Sequence, residues 1–146
     1  MVAAVEGLSG EEFKIPLERG KLLEFIESLH GNAQLWSHAS AHIAPTFLTS
    51  AFFWEGRTPG ADVKLKVDFD PARSVHAEQI FTYHGSPPKV GENLTGQSRV
   101  ERIYKKTNRQ GKVLTFVDVV TDFHDDSGAL RVSATMRAIE FPKETS

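Results

Sequence analysis

Ala44-Pro45-Thr46-Phe47-Leu48-Thr49-Ser50-Ala51-Phe52-Phe53-Trp54 is the most hydrophobic run of the chain. Pro45 suits the first turn of a helix, where its missing N–H is not needed. Phe47, Leu48, Ala51, Phe52 and Trp54 recur at three- and four-residue spacings, and with Phe53 they cover most of the circumference. A helix apolar nearly all round has to be enclosed. Gly56, Pro59 and Gly60 close the run, which stays far short of the roughly 20 residues a bilayer requires. The expectation is a short, almost fully buried helix, with the long C-terminal strands as its enclosure.

Before this run, Phe13, Ile15 and Leu17 alternate as a short strand, with Pro16 tolerable at an edge. Leu22, Phe25, Ile26 and Leu29 then follow the i, i+3, i+4, i+7 pattern of an amphipathic helix over Glu18 to Leu29, with Gly31 as its stop. After the run, Glu55 to Asp70 reads as a polar connector whose tail, Val63 to Val67, alternates like a short strand. From Val75 the period is two. Ala77, Gln79, Phe81 and Tyr83 oppose His76, Glu78, Ile80, Thr82 and His84 until Gly85-Ser86-Pro87-Pro88 breaks the strand. Leu94 to Lys106, Val113 to Phe123 and Leu130 to Ala138 are three more strands, with turns near Asn108 to Gly111 and at His124 to Gly128.

Strands of this length, joined by short turns, form a twisted antiparallel meander able to curl around a helix. The pattern predicts an α+β hot-dog fold: a long curled antiparallel sheet wrapped around a central hydrophobic helix, with residues 1–146 as one domain. A cone-shaped barrel of the nuclear-transport-factor-2 type is the rival.

Composition narrows the function. With 40% hydrophobic and 25% charged residues the chain reads as a globular protein. Seventeen basic against 19 acidic side chains give a net charge of −2, which makes no case for nucleic acid. Cysteine is absent, which excludes disulfides, thiolate nucleophiles and Cys-zinc sites. Met1 to Gly10 lacks the regions of a signal peptide, so a cytoplasmic protein is expected, with neither a membrane nor a nucleic-acid partner. His30, His38 and His42 invite a metal reading, yet no Glu lies between His38 and His42 in the zinc-protease pattern, and no metal is expected. Arg99, Arg102, Lys105, Lys106, Arg109 and Lys112 share a window whose single acid is Glu101. Such a rim suits an anionic partner, because opposite charges steer the encounter.

Two segments carry a resemblance. Val75 to His84, followed by Val90-Gly91-Glu92-Asn93-Leu94-Thr95-Gly96, is similar to the strand-turn-strand of MaoC-like dehydratase N-terminal domains. Phe13 to Leu29, Ala44-Pro45-Thr46-Phe47 and Leu114-Thr115-Phe116-Val117 resemble further segments of that family in the expected order. The resemblance implies a hot-dog protein of (R)-specific 3-hydroxyacyl-thioester dehydration and enoyl-thioester hydration in fatty-acid metabolism. It implies no cofactor beyond the coenzyme A or acyl-carrier protein that carries the substrate. Pro45, Thr46, Phe47, His76, Glu78, Gln79 and Tyr83 are then the residues nearest the acyl thioester.

Active members of the wider hydratase group carry a GDxNPLH loop after the first helix. Its Asp and His form the acid-base pair that adding or removing water requires. Aligned through Leu29 and Leu35, this chain places Gly31 at the Asp, Ala33 at the Asn, Gln34 at the Pro and Trp36 at the His. Neither Gly nor Trp transfers a proton. The resemblance therefore points to a non-catalytic or weakly catalytic subunit that shapes an acyl-binding tunnel, alone as a homo-oligomer or beside a catalytic hot-dog subunit. The alternatives are a self-sufficient homodimeric hydratase or thioesterase using His30, His38 or Glu78, and a non-enzymatic small-ligand-binding barrel. An acid on the buried helix would favour the thioesterase, and Ala44 to Phe53 has none.

Overall fold

Five antiparallel strands carry the molecule, β1 (Phe13–Pro16), β2 (Ser74–Tyr83), β3 (Asn93–Thr107), β4 (Val113–His124) and β5 (Leu130–Glu140), in the spatial order β1-β3-β4-β5-β2. These come from a computed structural model that describes residues 5–143. The sheet curls into a half-barrel, as the strand lengths predict. Two helices, α1 (Arg19–Ser28) and α2 (Ala51–Arg57), complete the fold with several short 3-10 turns.

The period of two sorts β4 and β5 cleanly. Val117, Val119, Thr121 and Phe123 share the concave side with Val132, Ala134, Met136 and Ala138, in the register Val119 to Met136 and Phe123 to Val132. The convex side is a ladder of charge. Asp118 is 3% exposed there and is held between Arg102 at 2.7 Å and Arg137 at 2.7 Å. Arg99 bridges Glu101 and Asp122, and Asp125 ties the β4–β5 turn to Arg131.

Three irregularities interrupt simple alternation among the described residues. One lies in β2 between His76 and Glu78, one in β3 between Val100 and Arg102, and one in the β4–β5 pairing at Phe123 and His124. An extra residue at Ala77 turns His76 to the side of its partner Ala138, the concave side shared with Gln79 and Met136. The sequence reading had put His76 and Glu78 on one face; the bulge separates them.

Phe47 and Leu48 (each 2% exposed) and Ala51 (3%) press into the sheet with Phe13, Ile15, Leu22, Leu94 and Phe123. The expected buried helix is shorter and less enclosed than its composition suggested. Phe47–Ser50 is a 3-10 turn, because the Thr49 and Ser50 hydroxyls donate back to the carbonyls of Thr46 and Phe47. Helix α2 follows, and it leaves Phe53 at 53% exposure on its outer face and Phe52, on the side of the cleft, at 37%. A half-barrel covers one side of a helix only.

Two further boundaries move. Val63–Lys66 is a 3-10 turn, not a strand, since the Asp62 carboxylate accepts the Lys64 backbone N–H at 3.0 Å and starts a turn in place of a ladder. Helix α1 ends in a Schellman arrangement. His30 N–H donates to Glu27 O at 2.9 Å and Gly31 N–H to Ile26 O at 2.9 Å. The left-handed position, φ 57°, falls on His30 and not on Gly31.

Candidate functional site

Between the concave sheet and α2 runs a cleft with two compartments. The outer one, about 380 Å³, is walled by Phe52, Val67, Phe69, Val117, Val119 and Met136, with His76 and Lys64 on its border. The inner one is a notch of about 10 Å³, bounded by Phe52, Lys64, Val119 and Met136 from the same walls and by Glu55, Gln79 and Thr121. A space of that size holds a single water-sized group.

The polar end of the cleft is built on Glu55, which is 2% exposed. Ser98 donates its hydroxyl to Glu55 Oε1 at 2.5 Å and lies 2.7 Å from Thr121 Oγ1, while Lys64 donates to Glu55 Oε2. Lys64 also lies 2.9 Å from Asp62 Oδ1. A carboxyl group so deeply buried requires such hydrogen-bond partners. Read from sequence as the start of a polar connector, Glu55 instead sits on α2, which runs on to Arg57. Its helical spacing of four from Ala51 was the signal that placed it on the inner face. Gln79, on β2, also lines the notch, and its side-chain oxygen is buried without a hydrogen-bond partner among the described residues.

The sequence candidates divide accordingly. His76 and Gln79 line the cleft. Tyr83 donates its hydroxyl to the Pro45 carbonyl at 2.8 Å, locking β2 to the start of the apolar run, and burial pushes that hydroxyl's pKa up. Phe47 is core, edge-on to Phe25 at 5.6 Å, and Thr46 is an exposed residue ahead of the 3-10 turn. Glu78 points to the convex face and pairs with Arg137 at 2.5 Å. His30 is the exposed, left-handed end of α1, and His38 is exposed, with Nδ1 3.4 Å from Ser40 Oγ. The three catalytic candidates His30, His38 and Glu78 therefore line neither compartment.

The loop after α1 has the shape of its sequence. Ala33–Trp36 is a 3-10 turn capped by Asn32, whose side chain accepts the Gln34 N–H at 3.1 Å. A Cβ at Gly31 would lie 2.8 Å from Ile26 Cγ2 and 3.1 Å from Ile26 O. The Schellman turn leaves no room there for a side chain. The basic cluster is partly consumed: Arg99 and Arg102 are in ion pairs, and Lys106 lies 5.2 Å from the Tyr104 ring and 5.5 Å from the Phe116 ring. Lys105, Arg109 and Lys112 remain exposed around the β3–β4 hairpin.

Comparison with known families decides the assignment of this architecture. The model of the FAS1-like dehydratase domain region matches residues 4–132. The chain belongs to that family. Among solved structures, this dehydratase-region protein is similar to the C-terminally truncated HadBC complex, a 3R-hydroxyacyl-ACP dehydratase from Mycobacterium tuberculosis. The TM-score is 0.63 at 15% identity over 95% of this chain and 99% of that one. It is also similar to the ChsH1-ChsH2 complex of the same organism, with TM-score 0.67 and 15% identity over 99% of this chain and 89% of that chain. A MaoC-like dehydratase from Phytophthora capsici matches with TM-score 0.64 and 15% identity over 99% of this chain but 49% of its own length. At these identities the structural likeness speaks for the hot-dog fold. No curated protein sequence matches the chain. Among the described residues, no helix of this dehydratase-region protein is long and apolar enough to cross a membrane.

Proposed function

We propose that this chain is a non-catalytic or weakly catalytic subunit of an (R)-specific 3-hydroxyacyl-thioester dehydratase or enoyl-thioester hydratase, in which it holds the acyl chain for a partner's acid-base pair. The observation that carries the reading is Gly31: at the position aligned with the catalytic Asp, a Cβ would lie 2.8 Å from Ile26 Cγ2, so any side chain there has to displace Ile26. Trp36, aligned with the His, is the last residue of the 3-10 turn and packs half-buried against the core.

A partner subunit is supported by two surfaces. Strand β2 ends the sheet order with β5 as its one neighbour, leaving its outer edge open to another strand. Phe53 on the outer face of α2, with Val75 and Ile80 on the edge strand, adds exposed apolar area on the same molecule. The substrate arrives as a thioester on coenzyme A or on an acyl-carrier protein, and the exposed Lys105, Arg109 and Lys112 suit the anionic carrier of either kind.

Glu55 favours a second reading, a thioesterase with the acid on the central helix. Its two oxygens are already engaged by Ser98 and Lys64, which ranks this reading below the first.

The test is hydration of crotonyl- and octenoyl-coenzyme A by the purified protein alone, followed as loss of the enoyl-thioester absorbance, with released thiol measured in parallel and His38→Ala as control. No turnover together with acyl-coenzyme A binding is the expected result. Turnover that His38→Ala abolishes would overturn the subunit reading, and thiol release that Glu55→Gln abolishes would install the thioesterase.

A further inference from the structure

A second pocket, of about 230 Å³, opens between α1, α2 and β1 and shares no lining residue with either compartment of the cleft. Its walls are aromatic: Phe25 from α1, Phe47 from the 3-10 turn, and Phe53 and Trp54 from α2. They stand as two edge-on pairs, Phe25 with Phe47 at 5.6 Å and Phe53 with Trp54 at 5.4 Å. The polar groups among the lining side chains belong to Lys21, Ser50 and the Trp54 indole, and no acid lines the pocket. The Ser50 hydroxyl donates its hydrogen to the Phe47 carbonyl at 2.8 Å. Of the three N–H groups of Lys21, one is directed at Glu24 at 3.1 Å, in an exposed pair of the kind that contributes little. A further cation stands beside the same wall, since the Arg57 guanidinium lies 4.1 Å from the centroid of the Phe53 ring.

We propose that this pocket binds a small aromatic carboxylate, with its ring among the four aromatic side chains and its acid group on Lys21. Size allows the ring: an apolar cavity of about 150 Å³ takes a benzene. The larger volume here leaves room for a short acidic arm as well. Edge-on ring contacts favour an aromatic body over a saturated chain of equal hydrophobicity. Aromatic walls by themselves also suit a quaternary ammonium, but the Lys21 and Arg57 charges repel a cation. An uncharged head group gains nothing from either cation, so the carboxylate is the head group that both charges favour. The inference goes beyond the acyl-subunit reading and does not rest on it.

The experiment uses the full chain carrying Trp36→Phe, which leaves Trp54 as the single tryptophan. The probes are 3-phenylpropionate, 3-phenylpropan-1-ol and hexanoate, the last a straight-chain acid of similar hydrophobicity. Binding is read as a saturable change in Trp54 fluorescence. 3-Phenylpropionate is expected to bind about fivefold more tightly than hexanoate and about threefold more tightly than the alcohol. Lys21→Gln, at an exposed position, should remove the preference over the alcohol and keep the preference over hexanoate. Phe53→Ala, also at an exposed position, should weaken 3-phenylpropionate about fivefold. No saturable change, hexanoate bound as tightly, an acid preference that survives Lys21→Gln, or an affinity unchanged in Phe53→Ala would each overturn the proposal. None of the probes is a thioester and Phe53 lines neither compartment of the cleft, so these outcomes are independent of the hydration assay.

Discussion

Ser98 on β3 donates its hydroxyl to Glu55 on α2 at 2.5 Å, and both residues are at or below 2% exposure. This bond joins the inner face of the helix to the floor of the half-barrel, and Thr121 and Lys64 complete the set of partners. Removing one member strands the others in a dry environment. Ser98→Ala is expected to lower stability by about 1–3 kcal/mol. Glu55→Ala, which also opens a cavity and leaves Ser98 and Lys64 without their shared carboxylate, should lower it by about 2–4 kcal/mol. Glu55→Gln keeps an acceptor for Ser98 and should cost less than Glu55→Ala. Urea unfolding of the three variants checks the order; a neutral Ser98→Ala would show that the bond contributes nothing.

Asp118 gives the protein an acid-sensitive point. Burial opposes its charge, but hydrogen bonds from Arg137 and Arg102 outweigh burial and hold its pKa below the ordinary carboxylate value. A folded-state pKa below the unfolded one contributes stability that is fully present above the unfolded value, about 3.9, and is lost as pH falls through the folded value. The stability difference between wild type and Asp118→Asn should therefore be constant from pH 7 to 5 and shrink below about pH 4. Denaturant titrations at pH 7, 5, 4 and 3 measure it. A difference unchanged at pH 3 would refute the assignment.

His30 occupies the left-handed position that closes α1, at φ 57°. Glycine adopts that conformation without the Cβ penalty of about 1 kcal/mol. His30→Gly is expected to raise the thermal midpoint while leaving acyl-coenzyme A binding unchanged, because the side chain lines neither compartment of the cleft. Loss of binding in this variant would return His30 to the functional residues.

Restoring the hydratase loop should fail for a steric reason. In Gly31→Asp/Trp36→His the new Cβ at position 31 meets Ile26 Cγ2 at 2.8 Å. Overpacking of this kind costs about 1–3 kcal/mol. The expected outcome is a less stable protein with no gain in crotonyl-coenzyme A hydration. Gain of turnover would mean that the Schellman turn yields and that the degenerate loop is a matter of two side chains.

The alternation of Val113 to Phe123 and Leu130 to Ala138, the long strands and the apolar run at Ala44 to Trp54 determined the hot-dog architecture, because burial on one face imposes a period that composition alone displays. The resemblance read from the same sequence also implied that the Asp and His of the hydratase loop are replaced here. It did not show which residues face the cleft. The bulge at Ala77 reverses His76 relative to Glu78, and a one-residue insertion in a ladder leaves no mark in the alternation of its neighbours. It did not show that Phe52 and Phe53 stay exposed, since how far a sheet wraps depends on curvature summed over five strands. Nor did it show that His30 takes the turn next to Gly31, or that a glutamate ending an apolar run meets a serine forty-three positions later. Those contacts are non-local. Local sequence sets the period of each element, while the pairing of distant polar groups follows only once the sheet has closed over the helix.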